Sequence, residues 1–422
     1  MKIKTKDKSY DEVIKLKPYS RKYPKKPAAF WGFVMRTLGK ADFKATDFSY
    51  TRENLEKAGD GPWLILMNHS SFIDLEIAAE ILKGKPYTIV CTSDGFVGKE
   101  WLMRAIGCFP TNKFVSDFKI LADFRHITQK QNTSVLMYPE ASYSFDGTAT
   151  PLPYKFGVFV KRLGIPVVMI KTEGAFARDP LYNCLQKRKV KVSAKEYCLF
   201  SSEELKVLSA DEIDAKLREA FTFDYFRWQQ ENRVKIDEPF RADGLERILY
   251  KCPVCGKEGT LKGSGTKITC SCGYSAELDE YGRLVPDDAY KDTFTHVPDW
   301  YAWERKEVAG EIDSEGYCMD FEVDIRMLVD FKSIYNIGKG RLLHDKEGFK
   351  LWLSDGRLVF QQAASKSYSL YSDYFWYELG DMICVGDNDK LFYCFPGGGV
   401  PVAKARLAAE EMYKKSVKYN GL

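Results

Sequence analysis

The sequence predicts a layered α/β domain, then a cysteine-rich metal-binding segment, then a β-rich module. Three observations carry that reading. Residues 60–200 alternate short apolar runs with stretches of helical periodicity. Four cysteines form two close pairs between residues 252 and 272. From about residue 330 the pattern turns to short strands separated by turn residues.

The chain has 422 residues, enough for roughly two to three domains. Its 45 % hydrophobic and 29 % charged content excludes wholesale disorder. A net charge of +4 is too close to balance for a general polyanion binder, which argues against nucleic acid. No apolar run approaches the roughly 20 residues that span a bilayer. The opening MKIKTKDKSYDEV has a charged head without an apolar stretch behind it, so a secretory leader is not expected. A cytoplasmic location follows as an expectation, and with it a reading of the eleven cysteines as free thiols or metal ligands.

The first 26 residues hold ten Lys/Arg against three Asp/Glu. Such a run is a solvated tail or, beside Phe30, Trp31, Phe33, Val34 and Met35, a docking segment for an anionic membrane surface. Residues 1–40 are set apart on that ground. In 41–245, WLILM (63–67), YTIVC (87–91), SVLMY (134–138) and VVMIKT (167–172) read as buried strands. Residues 74–84 and 116–131 read as helices between them. Residues 203–248 are polar and helix-prone, and SADE (209–212) spells a capping box.

NHSSFID (68–74) directly follows the first strand. A general base near neutral pH is most often His, and a carboxylate beside it fixes the ring tautomer. Positions i and i+5 lie about 140° apart on a straight helix. His69 and Asp74 therefore meet only if His69 is on the loop and Asp74 in the first helical turn. Asn68, Ser70 and Ser71 favour that arrangement.

These residues resemble the lysophospholipid acyltransferase family, which acylates glycerol phosphates and lysophospholipids. Its first block, Asn-His-x4-Asp, is Asn68, His69 and Asp74. GCFPTNK (107–113) stands where its second block is expected, with Lys113 for the usual Arg. YPEASYS (138–144) resembles Phe-Pro-Glu-Gly-Thr-Arg-Ser at Pro139, Glu140 and Ser144, with Ala141, Ser142 and Tyr143 departing from it. GIPVVMI (164–170) is similar to the fourth block, and Tyr154–Gly157 to the family's Phe-Lys-x-Gly.

The resemblance covers about residues 28–240. It implies an α/β acyltransferase domain with a mixed sheet. It also implies direct acyl transfer from acyl-CoA or acyl carrier protein to a lysophospholipid or glycerol-phosphate-like acceptor, with no catalytic cofactor. His69 would deprotonate the acceptor hydroxyl and Asp74 orient the ring. Asn68, Gly107, Lys113, Pro139, Glu140 and Ser142 are the expected substrate-binding residues, Lys113 on the acceptor phosphate. The altered third block lacks one cation, so a glycolipid or amine-lipid acceptor stays open, as does a non-catalytic adaptor.

In 246–284, Cys252, Cys255, Cys270 and Cys272 resemble a zinc ribbon holding structural Zn²⁺. Gly263 and Gly265 are placed for a hairpin between the pairs. In 285–422, six runs from RLLHD to LFYCF read as strands, including SYSLY, with a turn at SDG (354–356). A helix over 402–418 closes the chain. That element order resembles a pleckstrin-homology-type module. Because lipid substrates reside in the bilayer, a peripheral position at the cytoplasmic membrane surface is expected.

Overall fold

The computed structural model describes residues 2–417 apart from Ser116, Phe118 and Glu315. Among these residues the chain builds three sheets. The first has seven strands in the order Ser49–Glu53, Ser193–Phe200, Val167–Glu173, Leu64–Met67, Ser134–Met137, Tyr87–Thr92, Cys108–Thr111. It is mixed: every pairing is parallel except that of Val167–Glu173 with Ser193–Phe200.

The central strands are continuous apolar runs because both faces are covered. Leu64 and Leu66 pack on one side with Phe124, Phe156 and Leu217, while Ile65 and Met67 pack on the other with Ile77 and Ile81. This two-residue alternation fixes the strand rotation, and with it where the following loop emerges.

All four expected strands of this domain are present, as is the helix Asp74–Ile81. The stretch 116–131 forms a helix over Ile120–Arg125 that widens into a π-turn at His126–Lys130; Ser116 and Phe118 lie outside the described residues. The capping box is formed, with the Ser209 hydroxyl accepting from Glu212 N at 3.2 Å and Ser209 N donating to Glu212 Oε2 at 2.8 Å. Three strands not foreseen complete the sheet, at Ser49–Glu53, Cys108–Thr111 and Ser193–Phe200.

The second sheet, of four short strands, spans Leu261–Ser264, Lys267–Cys270, Ser275–Leu278 and Leu284–Pro286. Gly265 turns the first hairpin at φ +66°. Gly263 has another role, since a Cβ there would lie 2.2 Å from the Ala242 carbonyl oxygen.

The third sheet is antiparallel along Leu358–Ala363, Gly348–Leu353, Ile334–Asp345, Met319–Leu328, Leu391–Pro396, Met382–Gly386, Tyr371–Asp373. The SDG turn is formed, with Gly356 at φ +85°. Of SYSLY only Tyr371 is extended in the sheet, its strand running on to Asp373. The closing helix spans Val402–Ser416, and Lys418 lies outside the described residues.

The reading of the N-terminal run as a solvated tail does not hold. Thr5–Asp7 pairs in parallel with Ile334–Asn336 of the third sheet, and the Ser9/Glu12 capping box opens a short helix directly behind it. A second helix, Ala29–Ala45, follows. Nor are the modules separate beads. One apolar core includes Phe176 and Tyr182 of the first domain, Tyr274 of the cysteine-rich segment, Ile325 of the third sheet and Tyr374 just beyond its strand Tyr371–Asp373.

The first domain also touches the third sheet through a buried carboxylate. Asp94 Oδ2 accepts from the Tyr371 hydroxyl at 2.8 Å and from Trp376 Nε1 at 3.0 Å. Trp376 is buried and stacks on Tyr393 with ring centroids 4.5 Å apart. Trp376→Ala is expected to cost about 3–5 kcal/mol through the cavity and the lost bond. The thermal unfolding midpoint of the full-length protein measures this as a clear decrease.

Candidate active site

The C-terminal ends of four parallel strands converge on one cleft, the usual place for a site in an open α/β sheet. The strand Leu64–Met67 delivers His69, Tyr87–Thr92 delivers Asp94, Cys108–Thr111 delivers Lys113, and Ser134–Met137 delivers Tyr138 and Pro139. The cleft has a volume of about 1120 Å³ and a mainly apolar, aromatic lining.

His69 lies on the loop and Asp74 in the first turn of the helix, as the spacing requires. His69 Nδ1 is 3.1 Å from Asp74 Oδ2. The same oxygen accepts from the backbone N–H groups of Ser70 at 2.7 Å and Ser71 at 3.0 Å. Asp74 is 1 % exposed, whereas the His69 side chain keeps 21 % of its surface open. The acceptor at Nδ1 places the ring proton there, leaving Nε2 with its lone pair.

Desolvation lowers the His69 pKa below its ordinary 6.5, and the Asp74 bond and charge partly offset this, while Lys113 adds to the lowering. The ring is held between Tyr138 and Tyr143, each with its centroid 4.2 Å away.

Glu140 is fully buried. Its Oε2 accepts from His69 N at 2.9 Å, and its Oε1 accepts from Thr150 N at 3.0 Å and the Thr150 hydroxyl at 3.1 Å. Burial pushes Glu140 up to about 7 against these bonds. It is therefore a residue that fixes the backbone of the His69 loop, and it does not reach the cleft as the substrate-binding reading expected.

Three other expected substrate contacts are also structural. Asn68 is buried and braces the loop against the neighbouring strand: Thr172 N donates to its Oδ1 at 2.8 Å, and its Nδ2 donates to Thr172 O at 3.2 Å. Gly107 stands at φ +89°, where a Cβ would lie 2.9 Å from Pro27. Ser142 is buried with its hydroxyl on the Tyr143 carbonyl at 3.2 Å. Pro139 and Lys113 do line the cleft. Lys113 Nζ rests 4.2 Å from the centroid of the Tyr371 ring.

Ala141 has φ +57°, a left-handed turn that suits glycine, which explains why the resembled block carries glycine there. Sequence reasoning missed the two tyrosines on His69 and every lining residue of the third sheet, among them Tyr371, Asp373 and Trp376. The His-Asp spacing carries no signal for residues some 300 positions away.

Cys252, Cys255, Cys270 and Cys272 come together elsewhere, with all four Sγ atoms within 4.8 Å of one another. This donor set can hold a metal ion. The remaining cysteines form no such cluster among the described residues.

In an NMR titration, the His69 imidazole is expected to deprotonate below pH 6.5. Since Asp74 favours the charged ring, Asp74→Asn is expected to move that midpoint further down.

The Acyltransferase family model matches residues 48–171. No curated protein matches the chain. Among solved structures, the chain is similar to the 1-acyl-sn-glycerophosphate (LPA) acyltransferase PlsC from Thermotoga maritima, at 17 % identity and a TM-score of 0.34. The match covers 45 % of this chain and 78 % of that one. The His69–Asp74 pair thus stands at the ends of the parallel strands of the mixed sheet, within residues 48–171, the segment that the Acyltransferase family model matches.

Proposed function

We propose that this protein transfers a fatty acyl chain from the thioester of acyl-CoA or acyl carrier protein to the hydroxyl of a lysophospholipid or glycerol-phosphate-like acceptor at the cytoplasmic face of a membrane. The observation that carries the reading is the His69–Asp74 pair opening on the aromatic cleft. Nε2 of His69 takes the acceptor's hydroxyl proton while Asp74 stabilises the imidazolium. The oxygen attacks the thioester carbonyl, the C–O bond forms, and the C–S bond breaks. The imidazolium returns its proton to the departing thiolate, so no covalent enzyme intermediate is required.

Docking to lipid is assigned to the helix Ala29–Ala45 and its surroundings. Phe30, Phe33 and Leu38 are 60–71 % exposed, and Trp101 is 70 % exposed. Lys25, Lys26, Arg36 and Lys40 flank them in sequence, the pairing of apolar anchors with cations that suits an anionic surface. Among the described residues no helix is long and apolar enough to cross a membrane.

The cysteine cluster is assigned to structural Zn²⁺. Two Sγ–Sγ distances are 3.7 and 3.8 Å. A ZnS₄ tetrahedron with bonds of about 2.3 Å has edges of roughly 3.8 Å. All four protein ligands are present, which leaves no open position for catalysis. The third sheet, with seven antiparallel strands ahead of the closing helix, is assigned to a pleckstrin-homology-like module.

His69→Ala is expected to lower acyl transfer by about 10²–10⁴-fold, the usual contribution of a general base. Wild-type kcat/KM is expected to rise with pH and level off below pH 6.5, because the lowered His69 pKa keeps the ring in its base form above that point. Radiolabelled acyl-CoA with a lysophospholipid in mixed micelles measures both, and undiminished activity in His69→Ala would remove the reading. Elemental analysis is expected to find one zinc per chain, with a lower unfolding midpoint after chelation.

A further inference from the structure

The first domain does not enclose the cleft alone. Its opposite wall is made by the third sheet and the segment after it, through Tyr368, Tyr371, Asp373, Tyr374 and Trp376. The wall is anchored at Asp94, which takes both the Tyr371 hydroxyl and the Trp376 indole, and at Ser367, whose hydroxyl donates to Phe114 O at 2.8 Å. Just beyond Asp373 three non-glycine residues take the left-handed backbone: Phe375 at φ +54°, Tyr377 at +47° and Glu378 at +65°. Strain of this kind concentrates at functional sites.

Lys113, the cation expected on an acceptor phosphate, meets this wall. Its ammonium sits 4.2 Å from the Tyr371 ring centroid. Tyr371 and Asp373 are alternate residues of one strand, so their side chains share a face. Asp373 also lines the cleft, with one carboxylate oxygen accepting from Tyr374 N at 2.9 Å. Burial raises its pKa to about 7, and Lys113 is the leading influence that opposes the rise.

A phosphomonoester carries about −1.5 to −2 charges at neutral pH. Beside Asp373 in its ionised form, held above about pH 7, it would face a like charge, and it would compete for a lysine already opposed by a carboxylate. A headgroup without net charge meets no such penalty. Aromatic faces also receive ammonium groups and the apolar faces of polyols.

We propose that Asp373 of the third sheet is the acceptor-selecting residue: lining the same cleft as Lys113 and on the same strand face as the Tyr371 ring that Lys113 covers, it offsets the lysine's charge in the headgroup subsite, so that the enzyme prefers an acceptor headgroup of no net charge to a phosphomonoester. The proposal rests on the acyl-transfer reading above and narrows its acceptor class. Two sources supply such a headgroup, a zwitterionic phosphodiester and an uncharged polyol.

The test uses full-length protein, radiolabelled acyl-CoA and mixed micelles at pH 8, where Asp373 is ionised, containing one of three acceptors. These are a monoacylglycerol phosphate, a monoacyl phosphatidylethanolamine, and a monoacylglycerol. Wild type is expected to favour the second or third over the first by about tenfold or more in kcat/KM. Whichever is favoured identifies the source.

Asp373→Asn preserves the acceptor for Tyr374 N and removes only the charge. It is expected to shift the ratio about tenfold toward the phosphomonoester, through KM more than kcat. Asp373→Glu is expected to retain the wild-type ranking. A wild-type preference for the phosphomonoester overturns the proposal and leaves acyl transfer standing, as does an unchanged ratio in an Asp373→Asn protein that melts like wild type. Should that variant fail to fold, the wild-type ranking decides by itself. Turnover of none of the three overturns acyl transfer, and the proposal with it.

Discussion

One carboxylate oxygen organises the loop that carries His69. Asp74 Oδ2 gathers three donors, the His69 ring and the amides of Ser70 and Ser71. Without it, two buried N–H groups at the head of a helix would lose their partner and the imidazole its tautomer. Glu140 completes the restraint from the other side by taking the His69 amide itself. Ring and backbone of one residue are thus fixed by two buried acids from different strand ends. The restraint reaches the surface through a chain of polar contacts. The Ser71 hydroxyl bonds Asp179, Asp179 pairs with Arg178, and Arg178 pairs with Asp42 on the helix that exposes Phe30 and Phe33.

The sequence revealed most where periodicity and covalent spacing decide the outcome. The four central strands are buried on both faces, so their apolar runs are unbroken and visible. The His69–Asp74 contact is local, and loop-plus-first-turn geometry follows from five residues of spacing. The edge strand SYTRE and its neighbour SAKEYCLF were hidden because Arg52, Glu53, Lys195 and Glu196 break up their apolar pattern. Glu140 was recognised and given the wrong task, since a motif identifies a residue type without saying whether its oxygens face ligand or backbone. The aromatic wall around Lys113 was out of reach. It arises from tertiary docking of a weak three-residue strand, and no pattern near Lys113 announces it.

The departures in the third block have a physical consistency. Tyr143 stands where the resembled family carries arginine, and it stacks on His69. A second cation there would further disfavour the His69 imidazolium, adding to the lowering already exerted by Lys113. A neutral ring supplies the contact without that effect. The same substitution removes one positive charge from the cleft while the third sheet introduces a negative one, and both changes act in the same electrical direction.

The pairing of Thr5–Asp7 with the third sheet also has a temporal meaning. Asn336 Nδ2 bonds Asp7 at 2.6 Å across 329 positions of chain. On the ribosome the opening strand therefore emerges long before its neighbour exists. The far wall of the pocket is translated later still. A nascent polypeptide can form the His69–Asp74 contact early, yet the cleft stays open on one side until the stretch from Tyr368 to Trp376 has emerged. A product truncated ahead of Tyr368 would keep the His69–Asp74 pair without the wall that encloses it.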